Sequence, residues 1–186
     1  MKSKKISILI LNILLMAGCV SVQITQEQVE GIRSAAAKVL PPEAKVEVTT
    51  KSRFLAKPVL IISAHLLEGH SPDETSPYVR GDYGTHEKLT RLIRYRSAKI
   101  LKSVVAESQI PDVSKITIQA KHGVRQIYYG SNSGGGDVAM TIYVVSISIN
   151  DVRNKNLLTI TEKEIMALWK VDKNIIPSLH FQAVRF

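Results

Sequence analysis

The chain has one cysteine, Cys19, so no disulfide can form within it. The apolar run near its start, Ile6 to Ala17, is 12 residues long. A membrane-spanning helix needs roughly 20, so this run is too short to be a permanent span. No His-Glu-x-x-His, no Gly-x-Ser-x-Gly and no closed zinc-ligand spacing occurs. The common metalloprotease and serine-hydrolase signatures are thereby excluded. There is no internal repeat, and no low-complexity tract exceeds the glycines at 134–136. The 45% apolar content argues against disorder. Acidic residues are scarce beside basic ones, 16 against 25. They are missing altogether from the segment Lys88 to Lys102.

What is present begins at the amino end. Lys2, Lys4 and Lys5 form a basic tip ahead of the apolar run, and Leu15-Met16-Ala17-Gly18-Cys19 closes it. A charged tip, a short apolar region and a small-residue site are the parts of a secretory signal. The stretch resembles the signal peptide and lipobox of bacterial lipoproteins. Met16 stands where that pattern usually has leucine. The resemblance implies cleavage before Cys19, a diacylglycerol and palmitate on that cysteine, and attachment to a membrane by several acyl chains. Val20, in place of an aspartate, implies the outer membrane, facing the periplasm. The expected organisation is a signal peptide over 1–18, a lipidated start and short tether over 19–24, and one domain over 25–186. Residues 19–186 lose three basic residues with the signal and none of the acidic ones, leaving a net charge of +6. Such a domain is drawn to anionic lipid, acidic glycan or an acidic protein patch. An exported chain rarely meets nucleic acid, so none is expected as a partner.

The domain reads as α+β. Thr25 with Gln28 forms a capping box, and Ile24 and Val29 sit at staple positions, so a helix is predicted from Thr25 to the stop at Pro41-Pro42. Lys45–Thr50 alternates as a half-wet strand, and Val59–Leu67 is more continuously apolar. Residues 68–83 form the longest irregular stretch. A long helix is predicted over 85–108, then a hairpin of Lys115–Tyr129 and Val138–Ile149 around the tip at 131–137. A polar turn over 150–156, a helix opened by the Thr161/Glu164 capping box, and a final strand near 179–185 complete the chain. An antiparallel or mixed sheet with helices on one face is expected. From Val59 onward the order is also that of a ferredoxin-like split βαβ fold.

The sharpest surface feature lies on the long helix. Lys88, Arg91, Tyr95, Lys99 and Lys102 recur at spacings of three and four, opposite the stripe Leu89, Leu92, Ile93, Ile100, Leu101, Val104 and Val105. Arg94 and Arg96 flank them. With no acid between Lys88 and Lys102, no i,i+4 pair within that stretch relieves the repulsion. This strip is the expected contact for an envelope partner, anionic lipid or glycan. A competing reading is a metal-dependent envelope hydrolase drawing on His65, His70, Asp73, Glu74, Asp82 and His86. Loops are ordinarily polar, so the balance favours a binding protein with no catalytic, metal or cofactor residues. His122 is expected on the inward side of its strand. The glycine-rich tip at 131–137 joins strands rather than leading into a helix, so it is no phosphate cradle.

Overall fold

The computed structural model describes residues 24–53, 56–67, 86–125 and 137–178. Helix α1 (Gln26–Lys38) is capped as its sequence requires. The Thr25 hydroxyl accepts from Gln28 N, and the Gln28 side chain accepts from Thr25 N. Strands β1 (Val46–Arg53) and β2 (Ala56–Ala64) follow, then α2 (His86–Glu107). β3 (Lys115–Arg125) and β4 (Asp137–Ser148) lead to two short helices, α3 (Ile149–Asn154) and α4 (Glu162–Ala167). A last described strand, β5 (Lys170–Asn174), precedes one 3-10 turn over Ile176–Ser178. No helix among the described residues is long and apolar enough to cross a membrane.

The five strands form one mixed sheet in chain order, β1-β2-β3-β4-β5. β2 and β3 are parallel, and every other neighbouring pair is antiparallel. The crossover through α2 therefore joins adjacent strands. A split βαβ unit would place another strand between them, so the ferredoxin-like arrangement is not adopted. Two further differences concern the carboxy-terminal part. Residues expected to form a polar turn make α3, because Ser148 caps it by accepting from Asn150 N. β5 was not anticipated: it is short, polar and exposed at all five positions. The strand expected near 179–185 and residues 126–129 of the expected hairpin lie outside the described residues.

Register explains the two faces of the sheet. Side chains alternate along each strand, so aligned residues form rows. Val48-Ile62-Ile118-Val145 and Leu60-Ile116-Ile147 are apolar rows on one face. They join Ile32, Ala35 and Ala36 of α1 and Leu89, Ile93, Ile100, Leu101 and Val104 of α2 in one core. The opposite face carries Thr49-Ile61-Thr117-Ser146 and Glu47-Ser63-Gln119-Val144, which are mostly polar. There Ser63 Oγ donates to Gln119 Oε1 at 3.2 Å. A bulge at β4 breaks the alternation and lets both Ile142 and Tyr143 be buried.

The helices are tied by single polar bonds across their interface. Ser103 Oγ of α2 donates to the Ala35 carbonyl of α1 at 2.7 Å. Gly31, mid-way along α1, faces the same neighbour helix. A Cβ placed there would meet Ser108 Cβ at 3.9 Å, an ordinary contact. Gly31→Ala should therefore raise stability by about 0.5–1 kcal/mol by restoring helix propensity. A shifted urea midpoint with unchanged slope would register the gain, and a fall in the midpoint would show that α1 and α2 pack too tightly for a methyl.

Candidate functional site

The long helix separates its basic residues into two kinds. Arg96 falls three residues after Ile93 and four before Ile100, which puts it on the apolar stripe rather than opposite it. It is 1% exposed, and Nη1 donates to the Leu66 carbonyl at 2.7 Å. Arg94 reaches α4, where Nη2 donates to the Met166 carbonyl at 3.2 Å. Its charge also bears on Tyr143, whose phenol is pushed up by burial against the pull of that guanidinium. Lys102 is half-buried and donates through Nζ to the Ile160 carbonyl at 3.0 Å, with Glu162 Oε1 at 3.4 Å. These three cations serve the fold: they satisfy carbonyls at a turn after β2 and around the start and end of α4.

Arg91, Tyr95 and Lys99 remain. They stand four residues apart, so they line up along about 12 Å of helix. Lys99 Nζ lies 5.0 Å from the centroid of the Tyr95 ring, within cation–π range. Arg91 is exposed and pairs through Nη2 with Glu87 Oε1 at 3.1 Å. Glu87 lies just before the acid-free stretch, so the repulsion predicted along the strip is relieved at its amino end. Lys88 belongs to the first turn of the same helix. The strip is thus narrower than its sequence suggests, because α4 and the turn before it engage Lys102 and Arg94.

Elsewhere, several cations are matched by carboxylates at the surface. A hydrogen bond from Lys121 holds the Glu47 carboxyl below its usual range, and Lys57 does the same for Asp112. Burial works against ionisation of Asp172, but bonds from Ser146 and Lys115 still leave its carboxyl lowered. Asp172 is the extra residue where β5 bulges against β4.

The residues considered for a metal site divide. His70, Asp73, Glu74 and Asp82 lie outside the described residues, as does Cys19. His65 follows β2 and His86 opens α2. Among the described residues, no group of three His, Cys, Asp or Glu side chains is close enough to hold a metal ion. His122 is half-buried on β3, in register with Met140. No protein-family model matches the chain, and neither a curated protein nor a solved structure matches it.

Proposed function

We propose that the protein is a lipid-anchored lipoprotein of the bacterial envelope that binds rather than catalyses. The observation that carries this reading is the sequence Leu15-Met16-Ala17-Gly18-Cys19 behind its basic tip and short apolar run. Lipid on Cys19 holds the domain at the periplasmic face of the outer membrane. Only five residues, 20–24, separate that cysteine from the Thr25 cap of α1. Fully extended they reach less than about 20 Å, so the domain stays beside its membrane. The exposed Arg91 and the half-buried Tyr95 and Lys99 then meet an anionic surface, either lipid head groups or an acidic envelope partner.

Mass spectrometry of the protein from its own host tests the anchor. A cysteine carrying diacylglycerol and an acyl amide at position 19 is the expected mass, and Cys19→Ser should move the chain from the membrane fraction. A free thiol at Cys19 would overturn the address. The contact is tested with Arg91→Gln/Lys99→Gln in flotation against vesicles with and without anionic lipid. Each lost cation near such a surface removes about 1 kcal/mol. The double variant should therefore bind anionic vesicles about 30-fold more weakly, with most of the difference gone at high salt. Equal flotation of both proteins would remove the strip from the account. Lys102→Gln is the control that separates docking from folding: it should lower stability while leaving vesicle binding per folded molecule unchanged.

A further inference from the structure

The two edges of the sheet are protected unequally. β5 is five residues long, bulged at Asp172, and carries Lys170 and Lys173. Short length, a bulge and lysines are the usual defences against pairing with another strand. β1 confines its defences to one end, where it carries Lys51 and Arg53 and its pairing with β2 is bulged after Lys51. It runs eight residues, keeps regular register with β2 from Val46 to Lys51, and is rich in β-branched residues: Val46, Val48, Thr49 and Thr50. Among the described residues, only β2 pairs with it.

Backbone direction fixes how the outer side could pair. The Lys45 carbonyl accepts from His65 N at 3.3 Å, so residue 45 turns its backbone toward β2. In an antiparallel ladder this alternates, so Glu47, Thr49 and Lys51 also face β2. Val46, Val48 and Thr50 direct their N–H and C=O groups outward, and the same alternation carried one residue past the regular register turns Ser52 outward as well. A second strand must match outward residues with outward residues.

We propose that β1 pairs antiparallel with β1 of a second copy, about a two-fold axis through Thr49. Val48 then exchanges hydrogen bonds with Thr50 of the other copy, and Val46 with Ser52. Thr49 faces itself, and Glu47 faces Lys51 twice. These last are non-hydrogen-bonded pairs, in which side chains approach most closely. The strand is therefore complementary to itself in charge, on a face where Glu47, Thr49 and Lys51 are all exposed. Glu47 already binds Lys121, and a carboxylate accommodates a second ammonium. The bulge after Lys51 ends regular pairing, which disfavours a register shifted toward Arg53. Two such strands join two five-stranded sheets into one of ten, with isologous contacts.

Native mass spectrometry of the full mature chain, released from detergent, reads the assembly directly. The wild type should be a dimer. Glu47→Lys should place two lysine pairs across the axis, and Lys51→Glu two glutamate pairs. Each single variant should dimerise at least about tenfold more weakly, since opposite-charge cross-strand pairs become like-charge ones. Mixing the two variants restores both attractive pairs, so a one-to-one heterodimer should form from proteins that do not self-associate. That recovery also shows that both variants are folded. A monomeric wild type, dimers unaffected by either substitution, or a mixture that stays monomeric would each overturn the proposal.

Discussion

Replacing Arg96 with alanine should lower the free energy of unfolding by about 3–5 kcal/mol. Two losses combine. The Leu66 carbonyl, which accepts from Nη1 at 2.7 Å, is left without that donor. A buried acceptor stripped of a charged partner costs about 1–3 kcal/mol. The long side chain also leaves a void among Leu89, Ile93 and Ile100, its neighbours on the stripe. Domains of this size are stable by only about 5–15 kcal/mol, so the variant should sit near its folding limit. Arg96→Met fills most of the space without the donor and should recover part of the loss. Urea titrations of the three proteins measure this. A loss under 1 kcal/mol for the alanine variant would show that the guanidinium is dispensable to the core.

Ile62→Ala should cost about 2–5 kcal/mol, whereas Ile61→Ala should cost about 1. Ile62 is fully buried in the central apolar row, between Val48 and Ile118. Ile61 is half-exposed on the polar face, beside Thr49 and Thr117. The pair of variants differs by one position and identical chemistry, so the contrast isolates the face. Similar urea midpoints for both would contradict the division of the sheet into a helix-covered and a polar side.

Local chemistry was readable in the sequence, and partner choice was not. The caps at Thr25 and Thr161 depend on residues three apart, and both form as their spacing predicts. Helix α2 and the β3–β4 hairpin follow from apolar periodicity and a turn between them. The parallel pairing of β2 with β3 depends on which strand lies beside which, and no local pattern records that. β5 has no apolar alternation to announce it, because an edge strand with exposed faces needs none. The basic strip was half legible. Arg91 is exposed and Tyr95 and Lys99 are half-buried, whereas Lys102 donates to a carbonyl 58 residues further on. Arg96 could have been placed correctly by its spacing from Ile93 and Ile100. Counting charges along the helix obscured it.

The sheet is filled in the order in which its strands occur. A chain emerging amino end first thus finds the neighbour of each new strand already laid down. No described strand has to be threaded between two that have paired, and the longest loop to close before its contacts form is the step through α2. Assembly can proceed like a fence built post by post, with an open end waiting at every stage for the next segment.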